Sequence, residues 1–215
     1  EYSIDVIQPE KIEFKQNSYE DGENSIISFP EFLLLVLDVC TGGEQPASHY
    51  QPDKLIEKFD ALKTHFTAGE FYEKMLYYRL LLDYYTIRRD IKDGQGNYSL
   101  ILKGPKDDND KLKQYQSMLY VSTEAFYNWL KPYLRKLEQD ELQSCAEMLA
   151  FLKKEDNERH GVLPARKDLS YKASGNIRYW FWRLDYYLWE QRSTFFNEEE
   201  QKIVEHYVFR RNRSI

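Results

Sequence analysis

Apolar residues return every third or fourth position along most of this chain, a spacing that predicts a protein built mainly from α-helices. The clearest start signal is Ser28-Phe29-Pro30-Glu31, a capping box with proline in the first turn, so a helix is expected over Phe29 to Cys40. That helix is apolar on nearly every face and should lie at the centre of the core, with Thr41-Gly42-Gly43 stopping it. A second helix opens at Asp53, with Leu55, Phe59, Leu62 and Phe66 along one stripe, and Thr67-Ala68-Gly69 breaks it. The third is expected from about Glu70 to Ile91 and is the longest. Phe71, Met75, Tyr78, Leu82 and Tyr85 form its main stripe, with Tyr72, Leu76 and Leu80 beside it.

Three further helical segments read as Leu112 to Val121, Thr123 to Leu137 and Asp140 to Lys153. Pro132 falls inside the second and should kink it or move its start later. From Glu155 to Ser174 the chain is polar, with Gly161 and Pro164, and reads as a long loop. Asn176 to Gln191 is a very aromatic helix, and Asn197-Glu198-Glu199-Glu200 caps a short last one. Brief alternations in residues 1–28 and in the terminal run predict short strands near the termini. The turn Asp93-Gly94-Gln95-Gly96-Asn97 followed by Tyr98 to Lys103 predicts a hairpin near 97–103. The expected fold class is therefore mainly α: a helical bundle or array with minor β elements. Residues 1–28 form an irregular lead-in, 29–206 the helical domain, and 207–215 the start of a further module. With Glu1 first and a strand-like run last, both ends read as cuts within a longer chain.

Composition narrows the function only a little. The 215 residues suffice for a substantial core, and 18 Tyr among them predict thick, partly wet helix interfaces. A net charge of −6 argues against a protein that coats nucleic acid. Cys40 and Cys145 lie far apart in apolar helical contexts and read as buried free thiols of a cytoplasmic protein, with no obvious helix N-terminus to activate either. The longest apolar stretch, Phe32 to Val39, contains Asp38 and is far shorter than a membrane span.

Catalytic patterns are scarce. Gly94 and Gly96 make a hairpin turn rather than a phosphate loop, and the four histidines have no metal-ligand spacing, so they read as solvated or capping groups and no metal is expected. In the run Arg178 to Trp189, aromatics interleaved with arginines could stack bases and hold phosphates. The plainer reading places Phe181, Leu184, Leu188, Trp182 and Trp189 in the core and pairs Arg183 with a carboxylate. Arg79 and Asp83, four apart, predict an intrahelical ion pair; Arg88 and Arg89 suit a helix C-terminus, with phosphate contact a second reading. Arg210, Arg211 and Arg213 form the strongest basic cluster and read as an ordered segment beside an anionic ligand. The nucleic-acid candidates are thus Arg88, Arg89, Arg178, Arg210, Arg211 and Arg213.

Several blocks, in order and at their spacing, resemble one family. They are Phe29 to Leu37, Lys54 to Phe59, Tyr78 to Arg89, Gln116 to Ser122, Arg183 to Trp189 and Arg211 to Ile215. The set is similar to the helical region of the domain-of-unknown-function 262 proteins, relatives of the GmrSD-type modification-dependent restriction endonucleases of bacteria. That resemblance implies a ParB-like nucleotide-hydrolysing module before the helical domain and an HNH nuclease module after it. Ser214-Ile215 would open the HNH motif, and Asp93-Gly94-Gln95-Gly96 is not the nucleotide motif. It therefore implies an NTP and a divalent metal for the parent protein and neither here. The implied function is a non-catalytic middle domain, cytoplasmic, partnered by its flanking modules and in contact with DNA backbone. The alternative is a protein-interaction scaffold with an exposed Tyr/Trp groove and no role on nucleic acid.

Overall fold

A computed structural model describes residues 22–91, 97–106, 108–122, 124–165, 169 and 177–209. Helices dominate. They are α1 (Phe29–Cys40), α2 (Leu55–Leu62), α3 (Ala68–Tyr85), α4 (Asp110–Val121), α5 (Phe126–Glu138), α6 (Cys145–His160), α7 (Ile177–Glu190), α8 (Arg192–Phe195) and α9 (Glu198–Glu205). Three short strands, β1 (Gly22–Ser25), β2 (Arg88–Ile91) and β3 (Tyr98–Ile101), form one antiparallel sheet in that order. Ser25 pairs with Arg88, and Arg88 in turn with Ile101. The mainly α class, the hairpin and one strand near the N-terminus stand as expected. The Arg210 to Ile215 run lies outside the described residues.

Helix α1 is the central element. Ser28 caps it in a reciprocal box with Glu31, and Phe32, Leu34, Leu35, Val36 and Leu37 are all buried. It packs on α2 and α3; α3 also meets α5, α5 meets α6, and α4 meets both α6 and α7. One face of α3 joins this core through Tyr78, Leu81 and Leu82, while Tyr72, Leu76 and Leu80, expected beside the buried stripe, are exposed.

Helix α3 ends at Tyr85, six residues short of the expected Ile91. Thr86 is extended, and the backbone groups left open there find partners distant in sequence. Gln116 of α4 accepts from the Ile87 N–H at 2.9 Å and donates to the Tyr85 carbonyl at 3.0 Å, and Tyr133 of α5 donates to that same carbonyl. With these bonds made, β-branched Thr86 and Ile87 can turn into β2 with the Tyr85 carbonyl and the Ile87 N–H both paired. Gly104 then fixes the exit from the hairpin. Its N–H donates to the Tyr84 carbonyl at 3.0 Å, and a Cβ there would fall 2.2 Å from a Tyr84 ring carbon.

Helix α5 starts at Phe126, later than the expected Thr123, and Pro132 stays inside it. The proline leaves the Asn128 carbonyl without its helical donor, and the Arg159 guanidinium of α6 supplies one. Helix α6 starts later than expected, after the capping box of Ser144 and Glu147, and runs on to His160. Residues 155–160, expected as loop, are helical because Asp156 continues the buried stripe of Cys145, Met148 and Leu152. The last helix, α9, has the Asn197 cap that its sequence predicts.

Candidate functional site

The described residues hold their chemistry in a repeated unit: a carboxylate receiving a tyrosine hydroxyl and a cation from neighbouring segments. Asp38 of α1 is fully buried and takes the Tyr50 hydroxyl, Lys131 at 3.0 Å and the Gln45 N–H at 2.8 Å. Glu138 of α5 takes the Tyr78 hydroxyl at 2.7 Å and the Lys74 ammonium. Asp156 of α6 takes Tyr115 of α4 at 2.6 Å and Tyr179 of α7 at 2.7 Å, with Arg183 3.8 Å away. Desolvation would disfavour each carboxylate if it were alone, so the partners are what make burial tolerable.

Tyr115 and Arg183 of the Asp156 unit line a groove, with Asp156 itself buried beneath them. Along the α6–α7 cleft, Lys153 pairs with Glu190 at 2.6 Å, and Glu190 also accepts from Tyr186. Arg183 is tied down by the Tyr179 hydroxyl, the Gly161 carbonyl at 2.8 Å and Asn157. Gly161 ends α6 with φ 83°, a conformation suited to glycine, and this turn aims its carbonyl at Arg183. Above the polar floor stand Val162, Leu163, Trp180, Phe181, Leu184 and Tyr187, enclosing about 910 Å³. Phe181, Leu184 and Tyr187 are about half exposed. That corrects the expectation that Phe181 and Leu184 are core; Tyr179, Trp180, Tyr186 and Trp189 are the buried face of α7.

The protonation states suit binding more than proton transfer. Burial first, then the Asp156 charge and hydrogen bond, pushes the Tyr115 and Tyr179 phenols far above their ordinary range. Burial and then Glu190 do the same to Tyr186. These hydroxyls stay protonated donors at any physiological pH. The floor carries Lys153, Arg183 and Glu190; Lys153 is paired with Glu190, and Arg183 with Asp156 buried beneath it. A neutral, apolar surface is what this groove can accept.

The predicted arginines are not brought together. Arg88 and Arg89 lie on β2, not at a helix C-terminus, and both turn back onto β1. Arg88 donates to the Glu23 carbonyl at 3.0 Å and lies 3.5 Å from Asp83, while Arg89 donates through Nε and Nη2 to the Ser25 carbonyl. Arg178 is exposed in the first turn of α7. Arg210, Arg211 and Arg213 lie outside the described residues. The Arg79–Asp83 pair is present at 2.8 Å.

Two other expectations change. His49 is buried, its Nε2 2.8 Å from the Leu34 carbonyl, and His160 sits 3.1 Å from Glu124 rather than in solvent. Cys145 is buried but opens α6, whereas Cys40 is only partly buried, its thiol raised chiefly by desolvation. The carboxylates that do the joining were missed, although Asp38 and Asp156 each interrupt an apolar stripe at core spacing, which is a readable signal. Among the described residues no cluster of His, Cys, Asp and Glu fits a metal ion, and no helix is long and apolar enough to cross a membrane. No protein-family model, curated protein or solved structure matches the chain.

Proposed function

We propose that this chain is a non-catalytic helical domain of a bacterial, cytoplasmic, GmrSD-like modification-dependent restriction or anti-phage defence protein. It holds an NTP-hydrolysing ParB-like module and an HNH nuclease module in register. NTP and divalent metal belong to those modules. The family placement rests on the ordered motif blocks from Phe29 to Ile215. One observation carries the framework role: buried Asp38 and Asp156, and half-buried Glu138, are each occupied by a tyrosine and a cation of other elements. Groups so paired serve to fix helix positions, and a nuclease would need a free imidazole and a metal-binding carboxylate instead. Any DNA-backbone contact falls to Arg178, Arg210, Arg211 and Arg213, since Arg88 and Arg89 are engaged with β1.

The test is to incubate the purified chain with modified and unmodified plasmid, NTP and Mg²⁺ or Mn²⁺. Neither nicking nor nucleotide hydrolysis is expected, and metal-dependent nicking that co-purifies with the chain overturns the proposal. Salt-dependent DNA binding that is lost when Arg210, Arg211 and Arg213 become Ala supports the DNA-contact part.

A second reading, a protein-docking scaffold with no role on nucleic acid, is favoured by the half-exposed Phe181, Leu184 and Tyr187 above a neutral floor. Absence of DNA binding at low salt, together with loss of a partner module's binding in Phe181→Asp, would select it.

A further inference from the structure

Helix α3 is apolar on two faces, and among the described residues one is buried in the core while the other is largely open. Tyr78, Leu81 and Leu82 are buried in the core. On the opposite side Tyr72, Leu76, Leu80 and Tyr84 are 59%, 49%, 68% and 41% exposed. Their spacing of four residues makes one continuous ridge, the kind that interdigitates with a like ridge in the commonest class of helix packing. Read in either direction, the order is Tyr, Leu, Leu, Tyr. The ridge is therefore symmetrical about the level of Tyr78, so an antiparallel pair about a two-fold axis at that level sets leucine against leucine and tyrosine against tyrosine.

We infer that this face of α3 is a self-association surface, on which two copies of the chain pack antiparallel. Leu76 of each copy meets Leu80 of the other at the centre, and Tyr72 and Tyr84 close the two ends with their hydroxyls at the rim. At the midpoint the charges permit the approach. Arg79 is already neutralised by Asp83 at 2.8 Å, so the two copies do not oppose bare cations at the midpoint. Tyr77, 42% exposed, widens the patch on the other flank. At ~200 Å² for each such side chain when fully open, the contact buries roughly 1,000 Å² over both copies. That is below the standard size of stable interfaces, so the dimer is a weak, reversible one. The inference is independent of the family placement: it needs only the geometry of α3.

Sedimentation velocity on the full 215-residue chain tests it, over about 1 to 300 µM. A monomer–dimer equilibrium is expected within that range. Leu80→Asp and Leu76→Asp change exposed positions, so each should keep the helical circular dichroism and Tm of the wild type while weakening the dimer about tenfold or more. Orientation is read separately: Leu76→Cys combined with Leu80→Cys should cross-link into a dimer without reductant, and neither single variant should exceed the wild-type background. A chain that stays monomeric at every concentration, or a dimer indifferent to Leu80→Asp, overturns the inference. Cross-linking as strong in a single variant as in the pair overturns the antiparallel arrangement.

Discussion

Helices α1 and α7 are both crowded with apolar residues, but they are held in different ways. In α1, Phe32 and Leu34 to Leu37 are at most 1% exposed, and the helix is packed among α2, α3 and their neighbours. Helix α7 buries Tyr179, Trp180, Tyr186 and Trp189 against α4 and leaves Phe181, Leu184 and Tyr187 about half open. Its fixation to α6 is polar: Tyr179 on Asp156, Arg183 on Asn157 and Gly161, Glu190 on Lys153. The central helix is fastened by apolar burial on most sides, with Asp38 near its end tying it to Tyr50 and to Lys131 of α5. The outer one uses apolar contact inward and charged hydrogen bonds sideways, which frees its third face to line a groove. Apolar density in a sequence thus reports that a helix must pack, and the number of available neighbours decides how much of it does.

That contrast can be broken most severely at the polar joint. Asp156→Ala leaves two tyrosine hydroxyls without their buried acceptor and Arg183 without the carboxylate charge beside it, and chemical denaturation should read a loss of about 3–5 kcal/mol. Leu34→Ala, in the middle of α1, is expected to cost about 2–5 kcal/mol through lost burial and the cavity left behind. A loss below about 1 kcal/mol at Leu34 would mean that α1 is not the centre of the core.

Acidification should loosen the fold in two stages. Burial lowers the His49 pKa from the ordinary 6.5, the Leu34 carbonyl and Asp38 opposing. The folded state therefore binds its proton at lower pH than the unfolded chain, and stability present above 6.5 is lost as pH falls below it. At Glu124, burial acts upward, but the bonds from His160 and Asn128 and the charges of His160 and Arg159 outweigh it and lower the pKa from 4.5. Its contribution is present above 4.5 and disappears at more acid pH. Denaturation midpoints should fall from about pH 6.5 downward and more steeply below about 4.5. His49→Gln should abolish the first stage only. The smallest effect belongs to the open face: Phe181→Ser should stay within about 0.5 kcal/mol of wild type.

Much of the architecture was legible because it is local. The capping boxes of Ser28 and Asn197 and the apolar run of α1 declare themselves within a few residues. The end of α3 was not, because the Tyr85 carbonyl and the Ile87 N–H are satisfied by Gln116, some thirty positions away, and no local pattern announces those bonds. The polar run from Glu155 hid the last turn of α6, although Asp156 falls on the same face as Cys145, Met148 and Leu152. At the candidate site, the aromatic character of α7 was evident, but which residues face outward depends on how α4 and α6 meet it. Arg88 and Arg89 misled for the same reason: a strand partner supplies their acceptors, and pairing register is not written in the arginines themselves.

The inward use of these carboxylates can be measured directly with a double-mutant cycle between Tyr115→Phe and Asp156→Asn, read by equilibrium unfolding. If the pair joins α4 to α6 as described, the two substitutions couple by about 1–3 kcal/mol. Additivity within about 0.3 kcal/mol would contradict the account, because it would leave Asp156 buried without a structural task.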